Sequence, residues 1–128
     1  MALGKEIGQF SFKSTSATLI PGPGKAITFQ TNFEGTSKGE AGEGIEFGTL
    51  TVIAEPGAKS GTWEWCGAVF LKGGGGLGGN SHGTWHESGP NKWQYRGTGQ
   101  YSDGRLFAIE SEEDLATRTI TGKSYEWT

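Results

Sequence analysis

Cysteine is nearly missing from this chain. Cys66 is the single copy in 128 residues, so no internal disulfide can form, and the fold does not depend on an oxidising compartment. Long apolar runs are missing as well. None approaches the ~20 residues that cross a bilayer as a helix, so no membrane partner is expected. The opening stretch Met1–Gly8 lacks the apolar core of a secretory leader, which makes the cytoplasm the expected location. Positive charge is in deficit, 11 Lys and Arg against 14 Asp and Glu, and there is no basic run. Nucleic-acid binding draws most of its affinity from cations on phosphates, so that class of partner is not expected either. Branched aliphatics are sparse, with valine only at Val52 and Val69. Helix signals are almost absent.

What is present instead is glycine, 24 residues of it, and aromatic area, with five Trp, three Tyr and seven Phe. Large rings supply the burial that the missing aliphatics do not. The glycines are spread along the chain, which suggests turns, bulges and tight strand crossings rather than a linker. Length allows one domain over residues 1–128 and no second.

Strand patterns recur at short spacing. Gly8–Ile20 alternates early through Phe10 and Phe12 and stops at Pro21-Gly-Pro-Gly24. Ile27, Phe29, Thr31 and Phe33 share one face, the clearest period-2 segment. Gly35–Gly44 reads as a loop. Ile45–Glu55 reads as a strand whose apolar parity slips between Phe47 and Leu50, predicting a bulge at Gly48. Thr62–Lys72 follows, with Trp63, Trp65, Val69 and Leu71 opposite Glu64, Cys66, Ala68 and Phe70. Gly73–Asn80 reads as a glycine loop, His82–Ser88 as a short strand and Lys92–Tyr101 as another, with Trp93, Tyr95 and Tyr101 on one side. Asp103-Gly104 predicts a tight hairpin. Arg105–Ser111, a polar turn or single helical turn at Glu112–Leu115, and Arg118–Trp127 complete the chain. About eight antiparallel strands with short links predict an all-β fold, a single closed antiparallel β-barrel; a β-sandwich is the alternative.

Several patterns resemble chemical motifs. Gly73, Gly75 and Gly78 match G-x-G-x-x-G, yet no helix follows to present N–H groups to a pyrophosphate, so a hairpin loop is expected. His82 and His86 match H-x-x-x-H, but on a strand they lie roughly 13 Å apart, too far to share zinc. No cofactor or metal is expected. Candidate acid/base groups are Glu64, His86 and Glu110, since a carboxyl or imidazole walled by apolar surface acquires a shifted pKa. Candidate ligand contacts are Trp63, Trp65, Cys66, Trp85, Trp93, Tyr95 and Tyr101, because aromatic rings with a polar tip both pack and hydrogen-bond a guest. Only one face of a barrel strand is internal, so Trp63 and Trp65 line the lumen or Glu64 and Cys66 do.

The stretch Phe33-Glu-Gly-Thr-Ser-Lys-Gly-Glu-Ala41 with the strand after it, then Ser60-Gly-Thr-Trp63 and Gly97-Thr-Gly99, resembles bacterial uncharacterised proteins with an allene oxide cyclase-like, calycin-like barrel. The resemblance implies an eight-stranded barrel, a central cavity and self-association into a homo-oligomer. Plant members of that superfamily cyclise an unstable fatty-acid epoxide; no motif places their catalytic residues here.

Three functions remain open on the sequence. One is a barrel that binds a small apolar or amphipathic molecule against aromatic walls. The second is a cofactor-independent isomerase, cyclase or lyase using a luminal carboxylate or histidine. The third is a structural or interaction protein with a filled barrel.

Overall fold

The computed structural model describes residues 3–127. Eight strands follow one another, β1 (Leu3–Pro21), β2 (Ile27–Gly39), β3 (Gly42–Ala54), β4 (Ser60–Leu71), β5 (Gly76–Gly89), β6 (Lys92–Tyr101), β7 (Leu106–Asp114) and β8 (Thr119–Trp127). Each pairs antiparallel with the next, and β8 returns to β1, so the sheet closes into a barrel. Closure gives the ladder groups partners all round and leaves two faces, one enclosed and one wet.

The enclosed face is aromatic. Phe12, Phe33, Leu50, Val52, Trp63, Trp85, Tyr95 and Ile120 form the buried cluster, and Phe10, Trp65, Trp93 and Ile109 pack against it. Phe10 stacks on Phe12 at 4.9 Å, and Phe12 on Trp65 at 5.5 Å with the planes 6° apart. Trp85 and Trp93 stack at 4.1 Å.

Glycine makes this density of rings fit. A Cβ on Gly48 would come within 2.1 Å of the Trp65 ring, and one on Gly97 within 2.7 Å of the Trp63 ring. Both are inward strand positions, where a small residue facing a large one fills a narrow barrel. The expected bulge at Gly48 does not exist: β3 keeps unbroken register with β2 from Ile27↔Ala54 to Gly39↔Gly42, and with β4 throughout. Ile45 and Phe47 point outward and are exposed, which is why the apolar parity slipped there without any backbone irregularity. Register shifts lie elsewhere: in β1 between Ser14 and Ser16 against β2 and between Leu3 and Gly8 against β8, and in β5 between Glu87 and Gly89.

Two expected loops prove to be mostly strand. Gly35–Gly44 continues the β2–β3 hairpin up to a turn at Glu40 and Ala41, and Gly73–Asn80 gives only a short turn before β5 starts at Gly76. The Glu112–Leu115 segment contains no helix; β7 runs on to Asp114.

Candidate functional site

The three turns β2–β3, β4–β5 and β6–β7 meet at one end of the barrel, with the start of β1 and the end of β8; the other turns meet at the opposite end. A cavity of about 110 Å³ opens at the first end. Its rim includes Ile7, Lys38, Glu40, Leu71 and Arg105, and its walls include Phe10, Trp63, Trp65, Tyr101 and Phe107. An apolar cavity of roughly 150 Å³ is enough to admit benzene, so this one suits a small guest or one end of a longer one. Towards the opposite end the Trp85–Trp93 stack packs with Val52, Ala54 and Ala58, and a second hollow lies there beside Thr31, Glu113 and Arg118.

The strand-face question is settled by register. Trp63 is buried and Trp65 half-buried inside, while Glu64 and Cys66 are exposed outside. Trp85, Trp93, Tyr95 and Tyr101 also face inward. Only Trp63, Trp65, Tyr95 and Tyr101 of the expected contacts reach the cavity; Trp85 and Trp93 belong to the packed end. Trp63 is pinned by its indole N–H, which donates to the carbonyls of Thr84 at 3.0 Å and Arg96 at 3.2 Å. It meets Tyr95 edge to face at 5.9 Å.

The three expected acid/base residues lie elsewhere. Glu64 and His86 are exposed on the outer face, and Glu110 is outside too, 3.7 Å from Arg96 in an ion pair. None touches the cavity, because each is an even position on a strand whose odd positions face the lumen. His82, with His86, lies on the same outer face. Among the described residues no group of three or more His, Cys, Asp or Glu is placed to hold a metal.

Two carboxyls that the sequence reading passed over do point inward. Glu46 on β3 lines the cavity. Burial pushes its carboxyl up to about 7, and a hydrogen bond from Ser37 partly opposes the shift. Across β2 its register partner is Gly35, and across β4 it is Val69, so neither neighbouring strand supplies a charge beside it. Glu113 on β7 is 5% exposed and accepts a hydrogen bond from the Tyr95 hydroxyl at 2.5 Å. Burial raises both groups, and the Glu113 charge raises Tyr95 further. A donated phenol hydrogen bond is what makes a buried carboxylate tolerable at this position.

One buried polar atom in the cavity wall has no partner within the protein. Ser81 is 4% exposed, lines the cavity, and its hydroxyl makes no hydrogen bond. At the rim, Tyr101 stacks on Phe107 at 4.4 Å, and the Arg105 guanidinium lies 5.3 Å from the Tyr101 ring centre.

No family model, curated protein or solved structure matches the chain. The site must therefore be read from its own geometry. It offers an apolar slot open to solvent at one end, one carboxyl inside it, and one unsatisfied hydroxyl in its wall.

Proposed function

We propose that the barrel binds a small, largely apolar or amphipathic molecule in the cavity at its open end. The observation that carries this reading is the cavity itself: aromatic side chains from several strands wall a space of about 110 Å³ and leave it unfilled. Close-packed interiors do not keep such voids for stability, because an empty cavity forfeits dispersion contacts on every wall. Apolar walls with a few convergent polar groups are the common composition of a ligand site. The resemblance to allene oxide cyclase-like barrels points the same way and contributes no residue.

The test is native mass spectrometry of protein purified under mild conditions, paired with quenching of tryptophan emission across a lipophilic library. Retained mass or saturable quenching supports the reading. Silence in both overturns it, and favours a barrel that serves only as a scaffold.

A second reading has one specific observation behind it. Glu46 stands in the cavity with its carboxyl raised to about 7, the range in which a general base or acid works best near neutral pH. A cofactor-independent isomerase, cyclase or lyase would use that group to move a proton. Recovery of a bound compound with altered mass or chromatographic behaviour favours catalysis; recovery unchanged favours binding.

The outer face supplies a surface for self-association. Phe47 and Phe70 meet edge to face at 6.1 Å, and both are exposed beside Ile45. Neighbouring large apolar side chains in water are the usual material of a contact between subunits.

A further inference from the structure

The polar groups inside the cavity restrict the ligand further. Three charged groups at or near the rim are already engaged or face solvent. Glu40 pairs with Lys5 at 2.8 Å, Arg105 pairs with Asp103 at 2.8 Å, and Lys38 is exposed. Glu46 differs: it is largely sheltered, it lines the cavity, and among the described residues it takes part in no ion pair. A carboxylate withdrawn from water must be paired or lose its charge. Aromatic faces nearby, including Trp65 and Tyr101, attract cations as well as apolar groups. The cations of the lining, Lys38 and Arg105, stand at the rim, and Arg105 is already paired with Asp103.

Ser81 provides the independent observation. By register, Ser81 pairs with Trp65, and Trp65 with Leu50, which is four residues further along β3 than Glu46. Its hydroxyl therefore lies deeper in the barrel than Glu46, and it has no partner within the protein. A buried hydroxyl without a hydrogen bond costs stability, and a guest that carries a donor or acceptor would satisfy it.

We infer that the ligand is a small amphipathic amine, its ammonium seated on the Glu46 carboxylate and its apolar body lying among the luminal rings toward Ser81. The inference rests on the cavity being a binding site. It adds the charge and polarity of the occupant, which the cavity walls alone do not fix. An ammonium in that position faces a carboxylate on one side and π clouds on others. An alcohol of the same shape loses the charge. A carboxylic acid meets a like charge or must be bound with a proton.

The experiment compares three molecules of similar shape: phenethylamine, phenethyl alcohol and hydrocinnamate. Binding of each to the intact protein is followed by tryptophan emission and by calorimetry at about pH 8, where a group titrating near 7 is mostly ionised. The expected result is binding of the amine about tenfold or more tighter than the alcohol, as charge-assisted hydrogen bonds imply, with the acid weakest. In Glu46→Gln the amine falls to the level of the alcohol while the alcohol is unaffected. Tyramine, whose phenol can reach a hydroxyl deeper in the slot, binds tighter than phenethylamine in the native protein and loses that margin in Ser81→Ala.

Equal or stronger binding of the alcohol or the acid overturns the amine inference and leaves the cavity reading intact. So does an amine preference that survives Glu46→Gln. Absence of binding by all three compounds, with the lipophilic library also silent, overturns both.

Discussion

Replacing Glu46 by glutamine should change how stability depends on pH, and the size of the change follows from where the side chain sits. The ordinary value for its carboxyl is 4.5, and burial in the cavity raises it to about 7. A carboxyl whose proton is held more tightly in the folded state makes folding most favourable when it is protonated. Stability is full below the ordinary value and is lost as pH rises from 4.5 towards 7, since the folded protein binds more protons than the unfolded chain across that window. A tenfold change in proton affinity corresponds to about 1.4 kcal/mol, so the loss reaches about 3 kcal/mol at full weight. The groups that line the cavity near it, Ser37, Tyr101 and Arg105, stay in place in both proteins and cancel in the comparison. Glutamine imitates the protonated carboxyl and removes the titration. Urea unfolding followed by tryptophan emission, at about pH 5 and about pH 8, measures the difference. The two proteins should be close at the lower pH, and Glu46→Gln should be the more stable by up to about 3 kcal/mol at the higher. Parallel profiles for the two proteins would refute the placement of Glu46 in a sheltered site.

Further expectations concern the packing and the outer face. Gly48→Ala puts a methyl within 2.1 Å of the Trp65 ring; it should cost about 1–3 kcal/mol and shift the tryptophan emission, as overpacked cores do. Tyr95→Phe leaves the buried Glu113 carboxyl without its donor and should destabilise by about 1–3 kcal/mol near neutral pH. The loss should shrink on acidification, because the Glu113 carboxyl titrates above its usual range and a protonated carboxyl needs the donor less; thermal melts across pH check both. Glu64→Gln, His86→Ala and Glu110→Gln change exposed or outer-face positions and should leave ligand binding unaltered in the same fluorescence titration. Phe47→Glu with Phe70→Glu should abolish any concentration-dependent association seen by analytical ultracentrifugation without unfolding the barrel.

Much of the architecture was readable because the strand period was. Ile27–Phe33 alternates cleanly, and the structure keeps Phe33 buried and Asn32 exposed. Asp103-Gly104 announced the β6–β7 hairpin, where Gly104 adopts φ 94°. The hairpin extensions at Gly35–Gly39 and Gly76–Asn80 were hidden by glycine, which carries no hydrophobic signal whether it sits in a loop or beneath a ring. Two inner glycines show why: Gly48 and Gly97 are placed by the rings of Trp65 and Trp63 rather than by any turn.

The site was harder to see, for one physical reason. β4 is apolar on both faces, so Trp63 and Trp65 could not be distinguished from Cys66 and Phe70 by parity alone. On β3 the exposed Ile45 and Phe47 imitate an inner face, and a bulge at Gly48 would place Glu46 on the solvent side. Counting back from Leu50 in unbroken steps of two, through Gly48, brings Glu46 inside; that signal was present. Glu113 was missed because Glu112–Leu115 looks like a turn, and the length of β7 depends on partners in β6 and β8 that local sequence does not display.

The central claim is that the open end of the barrel admits a guest among its inner rings. Two-dimensional NMR of the indole and aromatic signals, during titration with phenethylamine or phenethyl alcohol, tests it most directly. The account predicts saturable shifts at Trp63, Trp65, Tyr101 and Phe107, with the outer Phe47 and Phe70 unmoved. Shifts confined to Phe47 and Phe70, or none at any ring, would contradict it.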